Sequence, residues 1–146
     1  MRDLDVWLRS MAFRADRQDT ARTYVWTTPG SAVVWAYYSI APTTVQRAGV
    51  PRSASGGHTA IPSYLLAKLA LDRSLHGRGL GTELLLDALQ RIAAAVTVSG
   101  GRLVVVDPVD QAARGFYLHH GFTAITGSER LFVRAASLNA VFARNA

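Results

Sequence analysis

The chain has 146 residues, no cysteine, a formal net charge of +6 and a hydrophobic content of 49%. These values predict a single domain, residues 1–146, and exclude a disulfide framework, a thiolate metal site and wholesale disorder. No apolar run is long enough to span a membrane and the first residues lack a signal-peptide core, so a cytoplasmic location is expected. The cationic side chains are almost all arginine, which suits contacts with phosphate groups of an acidic cofactor or an RNA.

The first part of the chain predicts a helix, a hairpin and a long loop. Apolar residues recur at helical spacing over residues 3–15. Two runs rich in Val, Tyr, Trp and Thr, Thr23–Thr28 and Ala32–Ile40, predict strands, and Pro29-Gly30 between them is typical of a type II turn. Proline and glycine break any period from Ala41 to Ile61, which predicts a loop.

A strand, a helix and a second strand follow this loop. The apolar run Tyr64–Leu71 predicts a central strand, and apolar residues at helical spacing predict a helix over Gly81–Val98. The strand predicted at Leu103–Val106 is wholly apolar, which favours a buried position parallel to its neighbour. Together the three elements predict a βαβ unit.

The last part of the chain predicts one capped helix and two short strands. Asp110 can cap a helix that runs to His120, and the two histidines at its end are expected to be solvated. The segments Phe122–Thr126 and Leu131–Val133 are predicted strands, whereas residues 137–146 are weakly specified. The order of elements indicates an α/β fold with a mixed central sheet and flanking helices.

The turn His76-Gly77-Arg78-Gly79-Leu80-Gly81, between the central strand and the long helix, predicts a pyrophosphate cradle. Backbone N–H groups at a helix N-terminus favour an anion, and glycines let a phosphate approach with no Cβ in the way. A Walker A loop is excluded because no Gly-Lys-Ser/Thr triplet is present. The glycine spacing is also one residue short of the dinucleotide fingerprint.

Two motifs resemble those of the GNAT superfamily of acyl-CoA N-acyltransferases. The turn is similar to its acetyl-CoA loop, Gln/Arg-x-x-Gly-x-Gly/Ala, with His76 where the family usually has Gln or Arg. The stretch Asp110-x-x-Ala113-x-x-Phe116-Tyr117-x-x-x-Gly121-Phe122 resembles the second signature, with Asp110 in place of the usual Asn. The two motifs occur in the family's order, with a helix and a strand between them.

The resemblance implies a GNAT fold, acetyl-CoA as cofactor, no metal, and Tyr117 as the acid that protonates the departing thiolate. Backbone N–H groups of the central strand would polarise the thioester carbonyl, and the turn would hold the pyrophosphate. The cofactor-binding residues expected on this basis are Leu69, Ala70, Leu71, His76, Gly77, Arg78, Gly79, Leu80, Gly81, Thr82, Asp110 and Ala113.

Upstream segments resemble the GNAT toxins of bacterial toxin–antitoxin pairs, the TacT and AtaT group. These segments are Leu4-Asp5-x-Trp7-Leu8, Ala21–Val25, Ala36–Ile40, Ile61-Pro62 and Leu66–Asp72. The likeness implies acetylation of the α-amino group of aminoacyl-tRNA, which blocks translation, together with a homodimer and a ribbon–helix–helix antitoxin. Members usually have a further N-terminal strand, so either this edge strand is missing or the chain start is misplaced.

The substrate-side candidates are cationic side chains that suit a nucleic-acid backbone. They are Lys68, Arg22, Arg47, Arg52 and Arg73. An unpaired lysine is costly to bury, so Lys68 should face a polar cleft or a phosphate. Two alternatives stay open at this point: a GNAT enzyme for a small-molecule amine or a protein N-terminus, and a non-catalytic acyl-CoA-binding regulatory domain.

Overall fold

The structure is a computed structural model that describes residues 20–30 and 32–145. The helix predicted over residues 3–15 lies outside the described residues. In chain order the elements are β1 (Arg22–Thr27), β2 (Val34–Gln46), α1 (Arg52–Ser55), β3 (Ala60–Leu71), a 3-10 helix (Arg73–Leu75), α2 (Leu80–Ser99), β4 (Leu103–Val106), α3 (Gln111–His119), β5 (Thr123–Ala124), β6 (Leu131–Arg134), a second 3-10 helix (Ala135–Ser137) and α4 (Leu138–Arg144).

The described strands form a mixed sheet in the order β1-β2-β3-β4-β6-β5, which confirms the predicted fold class. The chain divides into two compact units. The described parts of Met1–Ala41 and Leu66–Gln90 make the first unit, and those of Pro42–Leu65 and Arg91–Ala146 make the second.

The first unit contains the predicted hairpin. Strands β1 and β2 pair antiparallel, and Gly30 has a φ of +78°, as the third position of a Pro-Gly turn requires. The ring of Tyr24 stacks on that of Tyr38, with centroids 5.3 Å apart. The Tyr38 hydroxyl is buried and donates a hydrogen bond to Asp87 of α2, so the hairpin is joined to the long helix by a specific polar contact.

The prediction of a loop from Ala41 to Ile61 is wrong. Strand β2 continues to Gln46, α1 follows, and β3 begins at Ala60. Val45 is only 4% exposed and belongs to the core of the second unit. The β-branched residues before Gln46 fit a pleated, half-buried surface, and their burial outweighs the turn signals of the neighbouring prolines and glycines.

The second unit is built on the wholly buried β4. It pairs parallel to β3, with Ser63 opposite Leu103, and antiparallel to β6, which confirms the predicted parallel position. Side chains from both neighbours close over it. The core cluster comprises Val45, Ala54, Ile61, Leu103, Val105, Ile125 and Phe132.

Helix α2 confirms the predicted crossover helix within one residue at each end. The residues at its inner face share complete burial: Leu84, Leu85, Ala88, Leu89 and Ile92. Gly100 follows the helix with a φ of +81°, the left-handed conformation that commonly ends helices.

The C-terminal part differs from prediction in three places. Strand β5 is limited to Thr123–Ala124, because the chain turns on either side of this pair. Residues taken as weakly specified form α4, in which Leu138 and Val141 are buried at helical spacing. His120 is 4% exposed rather than solvated, and its ring lies edge-on to that of Phe116 at 4.8 Å.

A pair of glycines tests the close approach between the segment after β2 and the segment after β5. Gly49 and Gly57 both have positive φ, but a Cβ on Gly49 would overlap the backbone oxygen of Thr126, whereas a Cβ on Gly57 meets nothing within 4 Å. We expect Gly49→Ala to lower the free energy of unfolding by about 3 kcal/mol or more, and Gly57→Ala by about 1–2 kcal/mol of backbone strain. Denaturant unfolding measures both; equal losses would show that the approach is not tight.

Candidate active site

The end of β3 enters a turn that is fixed by its own hydrogen bonds. The Asp72 carboxylate accepts from the Ser74 backbone N–H at 2.9 Å and from the Ser74 hydroxyl at 2.6 Å. The Asp72 N–H donates to the Trp35 carbonyl oxygen at 2.8 Å. The hydrogen bonds from Ser74 lower the pKa of Asp72, so its side chain is an anion that caps the 3-10 helix.

The glycines of the turn leave its backbone open. Gly77 and Gly79 have φ values of +78° and +74°, and a Cβ on either would meet no atom within 4 Å. Helix α2 starts at once, and the first bond of its ladder runs from the Glu83 N–H to the Gly79 oxygen. The structure thus has the strand, glycine turn and helix N-terminus that a pyrophosphate cradle requires.

Strand β3 is interrupted shortly before this turn. Lys68 has a φ of +59° and is the non-glycine residue with positive φ in the described chain. Left-handed backbone costs a side-chain-bearing residue about 1–2 kcal/mol, and such strain concentrates at functional sites. The interruption directly precedes Leu69–Leu71, the segment whose N–H groups are predicted to face the thioester. The Lys68 side chain is exposed, so the cost of a buried lysine does not arise.

His76 fastens the turn to the end of β3. Its Nε2 lies 2.9 Å from the Leu71 carbonyl oxygen. Because a carbonyl oxygen only accepts, Nε2 carries the proton and donates this bond.

A pocket of about 630 Å³ adjoins the turn within the first unit. It is lined by Trp26, Arg78, Gly79, Leu80, Glu83, Leu86, Asp87 and Gln90. Trp26 is absent from the predicted site residues. Strand alternation places it on the same face of β1 as Tyr24, which is a signal in the sequence, but the pairing of that face with the turn is set by tertiary structure.

Helix α3 carries the predicted acid and is capped as expected. The Asp110 side chain accepts from the Ala113 N–H at 2.8 Å. Tyr117 is 7% exposed, and its ring packs edge-on against Phe116 and Phe122, with centroids 5.4 Å apart in each pair. Burial raises the pKa of Tyr117 well above its usual value, so the hydroxyl keeps its proton at neutral pH.

The predicted site residues form two groups. Residues 69–71 and 76–82 are brought together by β3, the turn and α2 in the first unit, whereas Asp110, Ala113 and Tyr117 share α3 in the second. The cationic candidates are all exposed and spread over the chain. Arg22, Lys68 and Arg73 belong to the first unit, and Arg47 and Arg52 to the second.

Searches of the described residues for two other site types were negative. Among residues 20–30 and 32–145, no group of three or more His, Cys, Asp or Glu side chains could hold a metal ion. Within the same ranges, no helix combines the length and apolar character needed to cross a membrane.

Comparison with protein families and with curated proteins gives consistent matches. Residues 29–124 match the acetyltransferase (GNAT) domain family. A tRNA-acetylating toxin of Mycobacterium tuberculosis (strain ATCC 25618 / H37Rv) is 36% identical over 120 residues, which cover 82% of this chain and 71% of that protein.

Solved structures agree with this assignment. AtaT complexed with acetyl-methionyl-tRNAfMet has a TM-score of 0.86 and 28% identity, covering 97% of this chain and 87% of that one. A tyrosine-to-phenylalanine mutant of AtaT, bound to the C-terminus of the antitoxin AtaR and acetyl-CoA, has a TM-score of 0.80 and 26% identity, covering 97% and 84%.

The capping role of Asp110 can be measured separately from chemistry. We expect Asp110→Ala to lower the free energy of unfolding by about 0.5–2 kcal/mol, because the Ala113 N–H loses its acceptor. Asp110→Asn should stay within about 0.5 kcal/mol of the parent, since an amide oxygen also caps. Denaturant unfolding at neutral pH measures both, and an alanine variant as stable as the parent would contradict the cap's contribution.

Proposed function

The chain belongs to the GNAT acetyltransferase family, and we propose that it moves the acetyl group of acetyl-CoA to the α-amino group of aminoacyl-tRNA. The observation that carries the proposal is the open, left-handed glycine turn at the N-terminus of α2. The relative named a tRNA-acetylating toxin and the AtaT complex with acetyl-methionyl-tRNAfMet support the choice of acceptor. Acetylation of that amine would block translation, as the toxin of a toxin–antitoxin pair does.

The residues of the turn fit the cofactor's pyrophosphate. Side chains at Gly77 and Gly79 would fill the space that the phosphates need, and glycine leaves it empty. The N–H groups from Gly77 to Thr82 and the guanidinium of Arg78 supply donors and positive charge. The N–H groups of Leu69–Leu71 would polarise the thioester carbonyl as its oxygen gains negative charge. Asp110 and Ala113 would act through the first turn of α3.

The reaction needs one neutral amine and one proton donor. The amine nitrogen attacks the thioester carbon, so that a C–N bond forms and the C–S bond breaks. A free α-amino group has a pKa near 8, so a useful fraction is already neutral at pH 7 and water can take the proton that it loses. Tyr117 donates its proton to the departing sulfur, a step that its raised pKa supports by keeping the hydroxyl protonated.

The rest of the proposal concerns partners and organisation. Exposed cations at positions 22, 47, 52, 68 and 73 would contact the tRNA backbone, which predicts binding that weakens as salt rises. A homodimer, a ribbon–helix–helix antitoxin and a cytoplasmic location follow from the same reading, with residues 1–146 as one acetyltransferase domain. The AtaT complex with the C-terminus of AtaR supports an antitoxin partner.

Transfer of radiolabelled acetyl to a pool of charged tRNA tests the function directly. We expect label on charged tRNA and none on uncharged tRNA. Tyr117→Phe should lower the rate about 100-fold or more, because the thiolate then leaves without its acid. Tyr64→Phe is the matched control, since the Tyr64 hydroxyl bonds only Ser99 among its reported partners and lies outside the proposed site. Label on small amines or protein N-termini, with none on tRNA, would replace the proposed acceptor.

The cradle predicts a specific effect of a methyl group. We expect Gly79→Ala to weaken acetyl-CoA binding about tenfold or more, because its Cβ would displace a phosphate from charge-assisted backbone hydrogen bonds. Gly100→Ala is the control: Gly100 has the same sign of φ and open space around a Cβ, but follows α2 instead of preceding it. Calorimetric titration with acetyl-CoA measures both, and equal affinities would place the pyrophosphate elsewhere.

A further inference from the structure

We propose that His76 is a positioning residue of the cofactor turn, and that gain of a proton by its ring tightens acetyl-CoA binding. The inference rests on the proposed function, because it concerns the pyrophosphate cradle of that function. It adds that the affinity of the cradle is coupled to pH through one side chain.

The first step is the bond that His76 makes. The Nε2–H donates to the carbonyl oxygen of Leu71, the last residue of β3, at 2.9 Å. Backbone bonds from the Leu75 N–H to the Asp72 oxygen and from the His76 N–H to the Arg73 oxygen close the same segment. The side chain therefore holds the residue before Gly77 against the end of the strand, and so sets where the open glycine backbone begins.

The second step is the proton count on the ring. Because Nε2 must carry a proton to donate to a carbonyl, Nδ1 is the nitrogen that gains or loses one. The ring can therefore become a cation without breaking its bond to Leu71. A charged donor also makes a shorter and stronger hydrogen bond than a neutral one, so the turn is held at least as firmly in the protonated state.

The third step is the charge around the ring. Asp72 presents its carboxylate, and the charge of His76 is one of the influences that lower the pKa of Asp72. Arg73 and Arg78, on either side in the chain, oppose a further positive charge. Histidine is the side chain whose charge ordinarily changes between pH 5 and 8. Protonation therefore adds one positive charge beside the proposed pyrophosphate, and by reciprocal linkage cofactor binding favours the protonated ring.

Calorimetric titration with acetyl-CoA at pH 8.0 and pH 6.0 tests the inference in the full chain. The cofactor's own phosphate monoester also titrates near pH 6, so each variant is compared with the parent at both pH values. His76→Gln keeps a donor for the Leu71 oxygen and removes the titrating nitrogen. Relative to this variant, the parent should gain about two- to fivefold in affinity as the pH falls, the range of a screened surface charge pair.

Two further variants separate position from charge. His76→Ala loses the bond to Leu71 as well, so its affinity should be about two- to tenfold below that of His76→Gln even at pH 8.0. His58→Gln removes an exposed histidine of the second unit and should match the parent at both pH values. Circular dichroism confirms that each variant is folded.

A measurement on the parent protein alone guards against effects of substitution. Titrations in two buffers that differ in heat of ionisation give the number of protons taken up on binding, and uptake larger in the parent than in His76→Gln supports the inference. The same pH dependence in parent and His76→Gln overturns it while leaving the proposed function intact. Failure of the parent to bind acetyl-CoA at either pH overturns both.

Discussion

The constraint on which the proposed site depends is the fixed backbone between the end of β3 and the start of α2. The Asp72 N–H bonds the Trp35 carbonyl, the Asp72 carboxylate bonds Ser74, and His76 bonds the Leu71 carbonyl. These contacts are made by the protein alone, so the glycine turn takes its left-handed form before any ligand arrives. A cradle that is ordered in advance does not have to spend binding energy on ordering itself.

Burial of Tyr117 connects packing with chemistry in the second unit. Its ring is held by two aromatic neighbours and by a helix whose first turn Asp110 caps. The apolar surroundings that fix the ring also disfavour a phenolate, which raises the pKa of the hydroxyl. The packing that orients Tyr117 therefore also keeps it a proton donor, and the same helix needs no separate device to control its protonation.

Local sequence signals predicted the elements nearest the proposed site because their causes are local. A Pro-Gly turn, a capping aspartate and glycines that need positive φ each act within a few residues. The extension of β2, helix α4 and the burial of His120 were missed because each depends on partners distant in sequence. The left-handed φ of Lys68 and the pocket position of Trp26 have no local signature at all, and both arise from how strands pair. The division of the predicted site between α3 and the turn was read correctly from the two motifs.

The two ends of the proposed reaction are encoded with unequal sharpness. The cofactor end relies on a few backbone positions, so one added methyl group at Gly79 changes the space that a phosphate needs. The acceptor end relies on exposed cations spread over both units, each of which interacts weakly because water and salt screen it. Recognition of a polyanion by many weak contacts tolerates the loss of any one. Selection among charged tRNAs must therefore come from shape and from the combined field, while the transfer step depends on single residues.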